Sequence, residues 1–64
     1  MENKEFYVVV YYDDDYEKKE EFSTYTEAKE FYDTIEPNEN YSKVLQRVVE
    51  WENGVEFIDE LEED

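Results

Sequence analysis

Apolar and polar positions follow two rhythms along this chain. Phe6-Tyr7-Val8-Val9-Val10-Tyr11-Tyr12 is an unbroken run of β-branched and aromatic residues, too short for an ordinary helix and composed as strands are. Alternation places Phe6, Val8, Val10 and Tyr12 on one face and Tyr7, Val9 and Tyr11 on the other. Asp13-Asp14-Asp15 stops the run, because Asp is depleted in strands and favours turns. Tyr16 to Phe22 reads as an antiparallel return, solvated through Lys18, Lys19, Glu20 and Glu21.

The rhythm then becomes helical. Thr24 and Glu27 have capping-box spacing, and Ala28, Phe31, Tyr32 and Ile35 recur at i, i+3, i+4 and i+7 as one apolar face. Pro37 is expected to end this helix, since the residue before a proline avoids helical dihedrals, and 36–40 reads as a loop. Asn53-Gly54 is the preferred centre of a two-residue type I′ turn between Tyr41–Glu52 and Val55–Leu61. That turn pairs Glu52 with Val55, Trp51 with Glu56, Val49 with Ile58, and Arg47 with Glu60. The acidic tail from Glu60 to Asp64 is expected to fray. The order β-β-α-β-β predicts one α+β domain over 1–64, an antiparallel sheet with one helix packed on one face.

One short helix covers only one side of such a sheet. The predicted register sets Leu45, Val49, Trp51 and Ile58 on one face, and Val44, Val48, Val55, Phe57 and Leu61 on the other. Antiparallel sheets commonly keep one face polar, whereas both faces here carry large apolar groups. The uncovered face is therefore expected to meet a second copy of the chain or a partner protein. Tyr7, Val9, Tyr11, Leu45, Val49, Trp51 and Ile58 form the expected self-association set of a homodimer.

Composition narrows the function. Of 64 residues, 21 are acidic and 6 basic, a formal net charge of −15 that argues against binding phosphate backbones or anionic membranes directly. High charge and low hydropathy ordinarily predict disorder, but aromatic residues make up 19% of the chain and fall in periodic segments, which predicts a folded, marginally stable domain. Neither cysteine nor histidine is present, which removes thiolates, disulfides, the commonest metal ligand and the commonest general base. Ser23 and Ser42 lack a histidine to activate them, and Gly54 is the only glycine, so no phosphate-cradling loop exists. Asp13 to Glu17 alternates acids as calcium loops do, yet an EF-hand starting at Asp13 would have Lys18 where it needs Gly and Thr24 where it needs Glu. No enzymatic activity, catalytic residue, metal or cofactor is expected. The polar N-terminal residues and the absence of a long apolar run lead to a cytoplasmic expectation.

The acids are the informative feature. Glu27, Glu30, Asp33 and Glu36 stand three apart, a stripe along the expected helix whose like charges oppose one another by a few tenths of a kcal/mol per pair. Asp13, Asp14 and Asp15 crowd the first turn, and Glu50, Glu52, Glu56, Asp59 and Glu60 crowd the second hairpin. Same-face acids on a strand lie about 7 Å apart, similar in order to neighbouring phosphates on one nucleic-acid strand. Solubility asks for a net charge of only about 2–8 in a small domain. The surplus points to a basic partner.

In size, charge and aromatic content the whole chain resembles the DNA-mimic inhibitors of bacteriophages, small acidic proteins that occupy nucleic-acid sites on host proteins. The class has no shared motif and transfers no site residues. The resemblance implies an inhibitor acting in the host cytoplasm on a basic DNA-binding protein, first the histone-like nucleoid protein HU, whose contacts to DNA are backbone-dominated. The alternatives are another nucleic-acid enzyme (RNA polymerase, a restriction or CRISPR nuclease, uracil-DNA glycosylase) or a small acidic regulatory module for protein–protein contact.

Overall fold

The computed structural model describes residues 3–36 and 40–63. Four strands and one helix follow in the order β1 (Lys4–Asp13), β2 (Tyr16–Phe22), α1 (Tyr25–Thr34), β3 (Val44–Glu50) and β4 (Glu56–Glu63). All pairings are antiparallel, and the sheet order is β2-β1-β3-β4, so the aromatic-aliphatic β1 and the Val/Leu-rich β3 are central and the two strands richest in charge form the edges. The expected α+β fold is the observed one. The expected loop at 36–40 coincides with the described residues only at its ends, and Pro37 lies outside them.

The core lies between α1 and one face of the sheet. Val9, Ala28 and Leu45 are fully buried and Tyr32 nearly so, with Tyr7, Tyr11, Phe22, Phe31 and Ile35 packed around them. Burying Val9 and Leu45 contributes about 1.5–3 kcal/mol each. Tyr11 and Phe22 bring their rings to 5.5 Å and 5.4 Å from that of Phe31, the first edge-on and the second tilted. Thr24 caps the helix as its spacing predicts: its Oγ1 accepts from the Glu27 N–H and donates to the Glu27 carboxylate. Helix α1 ends at Thr34, so Glu36 lies beyond the helix and does not extend the acidic stripe.

The turn expected at Asp13-Asp14-Asp15 is present, whereas the turn of the last hairpin differs from expectation. Asp14 and Asp15 have φ of 49° and 71°, the positive pair that marks a type I′ turn, and Asp13 pairs directly with Tyr16. At the second hairpin only Gly54 has a positive φ, 88°, and Asn53 does not. The Gly54 N–H donates to the Trp51 carbonyl and the Trp51 N–H to the Val55 carbonyl, which closes a three-residue loop, Glu52-Asn53-Gly54, in place of the expected two-residue turn. Asn53 Oδ1 reinforces it by accepting from the Val55 N–H.

The longer loop shifts β4 by one residue and so exchanges its faces. Val49 pairs with Phe57, Val48 with Ile58, and Arg47 with Asp59, not with the partners expected from Asn53-Gly54. A register shift between Leu45 and Gln46 then places Glu62 opposite Leu45. Residues Glu60 to Glu63, expected to fray, form the second half of β4, while Asp64 lies outside the described residues.

Candidate functional site: an acidic surface and an exposed edge

The corrected register sorts the expected self-association residues. Tyr7, Val9, Tyr11, Leu45 and Val49 all project toward the helix side, and Val9 and Leu45 are wholly enclosed there, so these five serve the core and do not form an outer face. Only Trp51 and Ile58 of that set are exposed. The uncovered face is built by Phe6, Val8, Val10 and Tyr12 of β1, Val44 and Val48 of β3, and Ile58 of β4. Val8 and Val48 are nonetheless buried at its centre, and Tyr41 stacks on Tyr12 at 4.4 Å, so part of this face is shielded within the chain. Large apolar exposure concentrates instead on the last hairpin, at Trp51, Val55, Phe57, Ile58 and Leu61. Trp51 and Val55 border an open hollow with Asn3, Glu52 and Asn53.

Each of the six basic side chains has a partner within the chain, the pairs of Lys18 and Lys19 lying on the surface. Lys18 pairs with Asp13 at 3.4 Å, Lys19 with Glu17 at 3.6 Å, and Arg47 Nη2 with Glu5 at 2.8 Å. Lys29 bridges Asp33 at 3.1 Å and Glu62 at 2.7 Å. Lys4 lies 5.5 Å from the centre of the Phe6 ring. Lys43 is buried and donates to the Tyr32 and Ile35 carbonyls at 2.8 Å and 2.9 Å, capping a helix whose own last turn holds no cation. No local pattern in the sequence singles out this role, because Lys43 follows the loop it helps to anchor.

Hydrogen bonding to Glu62 raises the Lys29 ammonium above its ordinary pKa, and the same bond, with a second from Tyr25, holds the Glu62 carboxyl below its own. Glu5 likewise raises Arg47 by hydrogen bonding, as Asp15 does Tyr41.

The expected acidic residues divide into engaged and outward-facing groups. Glu27 belongs to the cap, Asp33 to the Lys29 pair, Asp13 to the Lys18 pair, and Asp15 accepts from the Tyr41 hydroxyl at 2.8 Å. Among the described residues Asp14, Glu30, Glu36, Glu50, Glu52, Glu56 and Glu60 are not held by a cation. Glu50 and Glu56 stand directly opposite across the β3–β4 ladder, an arrangement of like charges that costs stability. Asp59 faces Arg47. The described residues contain no group of three acids disposed to hold a metal ion, and none of their helices is long and apolar enough to cross a membrane.

Compared with known proteins, the chain matches no family model, no curated sequence and no solved structure.

Proposed function

We propose that this protein is a non-enzymatic DNA mimic that occupies the nucleic-acid site of a basic DNA-binding protein, with HU as the first candidate and other nucleic-acid enzymes as further ones. The observation that carries the reading is the internal use of every cation, which leaves the surplus acids facing outward. The molecule is elongated, 42 × 21 × 15 Å, with a radius of gyration of 12.6 Å against about 11 Å for a compact chain of this length. A net charge of −15 along 42 Å is one charge per about 3 Å. One strand of a duplex carries one per about 3.4 Å of axis.

The acids that meet the target are those free of internal duties, chiefly Asp14, Glu30 and Glu36, and the outward-facing acids of β4. A homodimer joined through the uncovered face would leave both helix faces available, and the site of action would be the cytoplasm, that of the host if a phage encodes the protein. The exposed Trp51, Phe57 and Ile58 favour a second reading, an acidic module for ordinary protein–protein contact.

Fluorescence anisotropy of a labelled duplex bound to HU tests the first reading. Added protein should release the duplex, Glu30→Lys with Glu36→Lys should strongly impair release, and Glu21→Lys on the opposite edge should only slow association. Release unaffected by the double reversal would remove the helix end from the interface.

A further inference from the structure

We propose that the outer edge of β4 is a docking site for an extended, basic segment of another protein, which adds to the sheet as a fifth strand. This goes beyond the charge mimicry above, because it uses backbone hydrogen bonds rather than surface charge alone.

The Trp51–Val55 hydrogen bond fixes which groups of β4 are free. Hydrogen-bonded and non-hydrogen-bonded pairs alternate along an antiparallel ladder, so Val49–Phe57 and Arg47–Asp59 exchange hydrogen bonds and Glu50–Glu56, Val48–Ile58 and Gln46–Glu60 do not. The N–H and C=O groups of Glu56, Ile58 and Glu60 therefore point away from β3, along an edge that among the described residues has no strand beyond it. Beside that edge, Phe57 and Ile58 are 54% and 52% exposed on opposite faces of the sheet. An added strand would cover both side chains at once.

Charge decides the occupant. Laid antiparallel on a second β4 about Ile58, the edge would set Glu56 against Glu60 and Phe57 against Asp59, and any other register still brings together two strands of five acids and no cation, so charge disfavours a second copy. The other edge, β2, carries Lys18 and Lys19 among its acids, the mixed charge with which edges are commonly blunted. β4 carries acids and apolar residues only. Its charge favours, over a second copy, a strand with cations opposite Glu60, Asp59 and Glu56 and apolar residues opposite Ile58 and Phe57. Read antiparallel to β4, that strand has the order basic, basic, apolar, apolar, basic. Pairing of this kind takes affinity from the main chain and selectivity from alternate side chains.

The test is binding of a fluorescent Lys-Lys-Val-Val-Lys peptide, with terminal charges blocked, to the full chain, with no nucleic acid or DNA-binding protein present. Saturable binding is expected. N-methylation of the third residue, whose amide would face β4, should weaken it about tenfold or more, while N-methylation of the fourth, whose amide faces away, should leave it intact. Ile58→Pro should have the same effect as the first, because the Ile58 N–H makes no bond to β3 and edge positions of that kind tolerate proline. The two peptides keep the test independent of that variant's folding. Equal binding of both methylated peptides, or no saturable binding, overturns the proposal. Loss of self-association in Ile58→Pro without peptide binding would assign the edge to a second copy, and also overturns it. Because no DNA site takes part, failure here leaves the mimicry reading standing.

Discussion

Lys29 of helix α1 and Glu62 of the edge strand, 33 residues apart, meet at 2.7 Å and, together with the Tyr25 hydroxyl 2.9 Å from Glu62, tie the helix to a strand whose backbone lies apart from its own. The irregularity near Leu61 makes this meeting possible. Continued without it, the ladder would set Leu61 opposite Leu45, and Glu62 would turn to the other face.

This contact has a defined pH dependence. The folded pKa of Glu62 lies below its ordinary value of 4.5, so its contribution is present above pH 4.5 and lost as pH falls through the folded value. Lys29 is raised above 10.5, so its contribution is full below that pH and lost only as pH rises through its higher folded value. Glu62→Gln should lower Tm at pH 7, and the difference from the parent should shrink in acid, where the parent's carboxylate is itself protonated. A difference independent of pH would show that the pair does not carry it.

The exchanged faces of β4 predict unequal consequences for two aliphatic residues. Leu45→Ala should cost about 2–5 kcal/mol, enough to unfold a domain whose core supplies about 3–5. Ile58→Ala should cost no more than about 0.5 kcal/mol, since half of its surface is already in solvent. Denaturant midpoints measure both. A large loss at Ile58 would restore the register expected from a two-residue turn.

Much of the fold was legible because β1 and α1 announce themselves by composition and by the Thr24–Glu27 cap. The β4 register was not. Phe57 and Ile58 are adjacent apolar residues, so either register sets one apolar group on each face and the hydrophobic pattern selects neither. Asn53-Gly54 suits a type I′ turn, but Glu52-Asn53-Gly54 needs only one left-handed residue, Gly54, where the tighter turn needs two. The acidic stripe was legible as charge, but its internal duties were not. Glu27 caps, Asp33 pairs with Lys29, and Glu36 falls past the helix end, which leaves Glu30 as the one stripe residue on the helix with an uncommitted side chain.

The positive φ angles in the first hairpin are borne by two aspartates, which adopt that region at a cost that glycine avoids. Asp14 makes no hydrogen bond or ion pair among the described residues, whereas Asp15 holds Tyr41. Asp14→Gly should therefore stabilise the protein by up to about 1 kcal/mol, seen as a raised Tm. A lowered Tm would show that the Asp14 side chain contributes in a way its exposure conceals.

Self-repulsion should govern stability and association together. Raising salt from 0.01 M to 0.15 M shortens the screening length from about 30 Å to about 8 Å, so Tm should rise across that interval. Sedimentation at micromolar concentration should show a two-fold dimer whose population grows over the same range. A Tm that falls, or a monomer at every salt concentration, would contradict this account of the charge and of the uncovered face.

The most direct test of the central claim is the apparent affinity of the protein for HU at increasing concentrations of unlabelled duplex, read by anisotropy of the labelled protein at fixed salt. Occupancy of the DNA site predicts an apparent Kd that rises in proportion to duplex concentration once the duplex exceeds its own Kd for HU. An apparent Kd unchanged by saturating duplex, with protein and DNA held on HU together, would contradict it.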